Sequence, residues 1–179
     1  VALVQVTPPD ENGICSLGIS VDYTLAAVKN AKLVIAQVND QMPRTRGGSS
    51  VRVEDIDLFV EHSVPILELA PPKIGPMEEA IGNYCASLIN DGDTLQLGIG
   101  SLPDAICKFL QEKNDLGIHS EMISDGVMEL IEAGVVNNRK KTLHRGKTVA
   151  AFAMGTRKLY DFINDNPSFM LMDGAYVND

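Results

Sequence analysis

The chain has 179 residues, 45% of them hydrophobic and 22% charged, which suits one sizeable hydrophobic core and excludes both a disordered segment and a membrane-spanning one. A formal net charge of -9 argues against a nucleic-acid partner, because phosphate-backbone binding needs clustered Lys and Arg. It does not exclude an anionic ligand, since backbone NH groups at a helix N-terminus hold phosphate or carboxylate locally.

The first residues lack both an initiator Met and the basic-then-apolar pattern of a signal peptide. They read as a strand already under way, as if the chain began inside a longer gene product. Short β-branched runs at 1–6, 32–38, 58–60, 94–97, 117–118, 148–152 and 169–172 predict strands. Apolar residues at i, i+3 and i+4 predict helices over 23–30, 77–89, 103–112, 127–133 and 158–164. This alternation predicts an α/β fold with an open, largely parallel sheet and flanking helices. Between the third strand and the second helix, Pro65, Pro71, Pro72 and Pro76 exclude a regular helix. Segment 64–76 is therefore expected to separate a first unit, 1–70, from a second, 71–179. Stretches 10–13, 39–50 and 137–146 read as loops.

Cys15, Cys85 and Cys107 are odd in number and widely spaced, without a CxxC pair. Neither a disulfide framework nor a zinc site is indicated, and a reducing cytoplasm is the expected location.

Two stretches carry chemistry. In Thr94–Ala105 an apolar strand runs into Gly98-Ile99-Gly100-Ser101-Leu102 and then Pro103. The glycines permit positive φ and close approach of a ligand to backbone NH groups, and proline suits a first helical turn. Such NH groups bind a phosphate or an oxyanion. An ordinary tight strand–helix turn has the same composition, and Pro103 stands where a dinucleotide fingerprint needs its third glycine. In the second stretch, Leu116–Gly126, His119 and Glu121 alternate along a strand end. That is where α/β sheets present groups to ligands. On chemistry alone, the Glu121 carboxylate could be a base, a nucleophile, a metal ligand or a plain structural group.

Of the remaining polar residues, Asn39, Gln41, Met42 and Arg44 form a loop at another strand's carboxyl edge, where substrate contacts fall. Lys140, Lys141, His144, Arg145 and Lys147 read as a solvated basic loop, able at most to meet a phosphate.

The runs GIGSLPDAI, GIHSEMISDGVMELIEAGV, KTLHRGK and MGTRKLYDFINDNP resemble the acetyl-CoA hydrolase/4-hydroxybutyrate CoA-transferase family, a branch of the family I CoA-transferases. So do the earlier PPDENGICSLGISVDYT and VNDQMPRTRGG, so the resemblance covers essentially the whole chain. It implies a NagB/RpiA/CoA-transferase type of fold. It also implies Glu121 as the nucleophile toward an acyl-CoA thioester, and Gly98, Ile99, Gly100, Ser101 and Leu102 as the loop that binds coenzyme A and holds the oxyanion. The implied reaction moves CoA between a short-chain acyl-CoA and a carboxylic acid through a glutamyl-CoA thioester, with CoA as substrate and no permanently bound cofactor. Hydrolysis of acyl-CoA on the same scaffold, and a non-catalytic assembly module, are the alternatives. Family members are about twice this length or more, so the chain is expected to expose an apolar face or to associate as a homo-oligomer.

Overall fold

The computed structural model describes residues 1–179 as two parallel sheets joined by one hydrophobic core. The first sheet has the order β1–β3–β5, from β1 (Ala2–Val6), β3 (Val34–Val38) and β5 (Leu58–Glu61). Its register pairs Val4 with Ala36 and Ala36 with Phe59. Helix α1 (Thr24–Asn30) crosses from β1 to β3 and sets Leu25 and Val28 into the same core cluster as Val4, Val6 and Ala36. The second sheet has the order β6–β7–β8–β9, all parallel, from β6 (Thr94–Leu95), β7 (Gly117–Ile123), β8 (Thr148–Ala153) and β9 (Phe169–Leu171). Helices α2 (Pro76–Leu88), α3 (Ser101–Lys108), α4 (Asp125–Glu132) and α5 (Arg157–Ile163) occupy the connections.

Two strands the sequence did not announce, β2 (Ile14–Ser16) and β4 (Ser50–Arg52), pair antiparallel. Their flanks tie the halves together. Ala151 O accepts from the Val21 amide, Ile19 O accepts from the Ala153 amide, and the backbone of 46–48 runs beside Leu171. The Pro-bearing segment 64–76 contains no regular element until α2 opens at Pro76. It is nevertheless anchored, with the Leu69 amide donating to Gly155 O and the Tyr160 hydroxyl donating to Leu67 O.

Strand β7 is central and longer than expected, seven residues instead of two. Its polar residues are satisfied in place. Buried Ser120 donates to Leu97 O and accepts from the Leu97 amide, both at 2.9 Å, which extends the short β6 pairing by side chain where the ladder stops.

Lys141 corrects the reading of 140–147 as a wholly solvated loop. It is buried, and its ammonium donates to Ile118 O at 2.6 Å and Lys147 O at 2.7 Å. Its stem lies across Gly117, where a Cβ would stand 2.5 Å from Lys141 Cγ, so β7 has to begin on glycine.

Two outcomes follow from β7. Ser120→Ala strands two buried backbone groups of Leu97 and should lower stability by about 1–3 kcal/mol in a denaturant melt. Burial pushes the Lys141 ammonium down to about 8, below its unfolded value. The unfolded chain therefore holds more protons once pH passes about 8, and stability contributed at this site rises with pH from there. Above pH 9 the Cys107 thiol, which burial raises to about 12, acts in the opposite sense. Melts between pH 7.5 and 9 should show the wild type gaining on Lys141→Met, whereas parallel curves would refute the buried charge.

Candidate active site

Glu121 is the fifth residue of β7, and its side chain is exposed. Strand alternation sends His119 and Glu121 to one face and Ser120 and Met122 to the other. On the Glu121 face lies α6 (Gly174–Val177), a single turn that the sequence reading missed. Asp173 caps it by accepting from the Tyr176 amide at 3.0 Å. Just past this turn, Asn178 Nδ2 donates to Glu121 Oε1 at 3.5 Å, and the Tyr176 ring lies over His119 with centroids 6.3 Å apart. The Tyr176 hydroxyl also meets His144 Nε2, so the basic loop is tied to the same turn. Burial and the Lys141 charge lower the pKa of His119, favouring its neutral form.

Glu121 opens into a cleft of about 630 Å³ whose opposite wall is the start of α1, with Tyr23, Leu25, Ala26 and Lys29, and whose floor includes Asp22 and Asp173. The Asp22 carboxylate is engaged with the hydroxyls of Ser20 and Thr24. Asp22 and Asp173 each spend one oxygen, Oδ1, on the chain's own hydroxyls and amide, whereas Glu121 is held by one long amide contact alone.

The glycine loop leaves the carboxyl end of β6 and turns into α3, which opens at Ser101 with Gly100 as its N-cap, two residues before the expected Pro103. Ser101 and Leu102 thus belong to the first helical turn. Gly100 has φ 124, a conformation that requires glycine, and a Cβ there would meet nothing within 4 Å. Packing does not account for that glycine, and its surroundings are open to a ligand. The Ser120–Leu97 pair fixes the loop's first residue, Gly98, beside the strand position next to Glu121. No hydrogen bond joins the loop to the carboxylate. Ile99 and Gly100 line a second cleft of about 420 Å³, on the Met122 side, with Asp104, Cys107 and the proline segment. There Ser124 donates to Asp104, whose carboxyl burial raises above its ordinary value. The loop and Glu121 therefore stand at neighbouring strand ends but face different clefts.

Asn39 and Arg44 spend their polar atoms on the chain itself. Asn39 is buried, with its amide on Val64 O at 2.8 Å, and Arg44 donates to Pro8 O at 2.6 Å and Ile14 O at 3.1 Å. No group of three or more His, Cys, Asp or Glu is placed to hold a metal ion, and no helix is long and apolar enough to cross a membrane.

Comparison with known proteins agrees with the motif reading. The acetyl-CoA hydrolase/transferase N-terminal domain matches residues 1–69. A 4-hydroxybutyrate coenzyme A transferase of Clostridium kluyveri is 63% identical over 178 residues, covering 99% of this chain and 42% of that sequence. A succinyl-CoA:cyclohexane-1-carboxylate CoA transferase of Geobacter metallireducens is 47% identical over 178 residues, covering 99% of this chain and 41% of that sequence. The crystal structure of a 4-hydroxybutyrate CoA-transferase from Porphyromonas gingivalis superposes with a TM-score of 0.96 at 47% identity, covering 99% of this chain and 46% of that one. The chain thus spans less than half the length of these relatives, and over that span its sequence and its fold both place it in the acetyl-CoA hydrolase/transferase family.

Proposed function

We propose that a full-length protein carrying these residues is a CoA-transferase, moving coenzyme A between a short-chain acyl-CoA and a carboxylic acid, with Glu121 as the nucleophile. The observation that carries this reading is an exposed carboxylate on a central strand, free on its cleft side and steadied by Asn178. The relatives' names, CoA transferases of 4-hydroxybutyrate and of succinyl-CoA with cyclohexane-1-carboxylate, support the class of reaction.

In the proposed sequence a Glu121 oxygen attacks the thioester carbonyl carbon. The carbon–sulfur bond breaks, CoA thiolate leaves, and an acyl-glutamyl anhydride remains. The thiolate then attacks the glutamyl carbonyl, releasing the first carboxylate and leaving a glutamyl-CoA thioester. An acceptor carboxylate attacks that thioester, giving a new anhydride and thiolate. Attack of this thiolate on the acyl carbonyl yields the new acyl-CoA and restores Glu121. Each step passes through an oxyanion. The amides of Gly98 to Leu102, at the mouth of α3, are the proposed donors to that oxyanion or to coenzyme A, and losing one such donor elsewhere costs about 3 kcal/mol. CoA enters as substrate, and nothing in the sequence of steps calls for a resident cofactor.

We further propose that the chain divides within 64–76, a reading supported by the end of the family N-terminal match at residue 69. A cytoplasmic location and a homo-oligomeric state are proposed on the composition and the motifs.

In the full-length protein, Glu121→Gln should lower transfer at least about 10³-fold, because an amide oxygen is a far poorer nucleophile than a carboxylate. The melting curve should be nearly unchanged, since Glu121 is exposed. Parental transfer by the Gln variant would overturn the assignment. Product formation with and without acetate separates transfer from hydrolysis.

A further inference from the structure

The basic loop between α4 and β8 takes no part in the chemistry described so far, yet it is fastened to the strand that carries Glu121. Ile118 on β7 donates its amide to Asn138 Oδ1 at 2.9 Å, and its carbonyl accepts from the buried Lys141 ammonium at 2.6 Å. Asn138 Nδ2 also donates to Thr148 Oγ1 at 3.0 Å, at the start of β8. A loop pinned in this way to two strands presents His144 from a fixed backbone. His144 sits at φ 51, in the left-handed region where glycine costs least, so the turn alone does not call for an imidazole. The imidazole reaches Tyr176 on α6. Its Nε2 meets the tyrosine hydroxyl, and the two rings stand edge to face with centroids 5.7 Å apart.

Tyr176 is thereby held from two sides, because its ring also lies over His119. Little else fixes α6. It is four residues long, capped by Asp173 at one end and joined to the sheet through Val177, which clusters with Val149 and Ala151. A turn of that length has no stability of its own. Two residues beyond Tyr176, Asn178 makes its long contact with Glu121 Oε1. We propose that Tyr176 and His144 are positioning residues for Glu121. Their contact holds the end of α6, which keeps the Asn178 amide on Oε1 and leaves Oε2 as the attacking oxygen. Neither residue lines the Glu121 cleft, so each acts through Asn178 and not on the thioester itself. The inference rests on the reading of Glu121 as nucleophile.

The test uses the full-length protein. Tyr176→Phe removes the hydroxyl and keeps the ring over His119, and His144→Asn removes the imidazole with a residue that tolerates the left-handed backbone. Each should lower kcat about tenfold and leave KM for acyl-CoA within about threefold, with the melting temperature moved by no more than about 4 °C. Because both substitutions remove the same contact, the double variant should lose about tenfold and not about a hundredfold. A crystal structure of the Tyr176→Phe protein should show Asn178 Nδ2 out of hydrogen-bond reach of Glu121. Parental kcat in either variant, a rise in KM alone, losses that multiply in the double variant, a loss of stability in place of turnover, or an unmoved Asn178 would each overturn the proposal. Glu121→Gln, assayed in the same series, keeps the two readings apart. Parental transfer there overturns the nucleophile assignment and the positioning with it, whereas loss there beside parental kcat in Tyr176→Phe overturns the positioning alone.

Discussion

The candidate site depends on the hydroxyl of Ser120 bonding both backbone groups of Leu97. The β6 ladder ends at Leu95, and Ser120 carries the strand-to-strand connection two residues further by side chain. Without it, the glycine loop would leave the sheet two residues earlier and the position of Gly98 relative to Glu121 would be undefined. The neighbouring residues of β7 are equally constrained. Gly117 makes room for the stem of Lys141, the carbonyl of Ile118 takes the Lys141 ammonium, and Met122 closes the cleft beneath the loop. Because the side-chain period is two, a one-residue slip of β7 would move Glu121 to the loop's side and bury Ser120 against α6.

This arrangement divides the proposed chemistry between the faces of one strand. Glu121 looks toward α1 and α6, and the loop's Ile99 and Gly100 look toward α3 and the proline segment. In the proposed reaction, a thioester reaching both arrives over the carboxyl ends of β6 and β7, the edge at which open α/β sheets bind ligands. Gly100 suits such an approach, since its φ of 124 turns the chain without placing a side chain in the way.

Much of the architecture was legible in the sequence, and what was missed shares a physical cause. Apolar runs such as Val34–Val38 and Thr148–Ala153 announce themselves because their residues are buried or half-buried in parallel sheets. Strands β2 and β4, three residues each, owe their existence to pairing with each other across some 35 positions and carry no local pattern. The length of β7 was hidden because His119, Ser120 and Glu121 interrupt its apolar run, and each has a partner elsewhere in the chain. Glu121 and the glycines could be singled out by residue type and motif. Asn178 could not, since its approach to Glu121 spans 57 residues and rests on a single helical turn capped by Asp173. The burial of Lys141 was likewise unreadable among its basic neighbours, because only the three-dimensional positions of Ile118 O and Lys147 O reveal it.

The central claim, that Glu121 forms the covalent bond to the acyl-CoA-derived group, is tested most directly by trapping the intermediate. The full-length protein is incubated with acyl-CoA, treated with hydroxylamine or borohydride, digested and mapped by mass spectrometry. The account predicts modification of Glu121, in the peptide containing His119 and Met122, only when acyl-CoA is present. Modification of a different carboxylate, such as Asp22, Asp104 or Asp173, or none under turnover conditions, would contradict it.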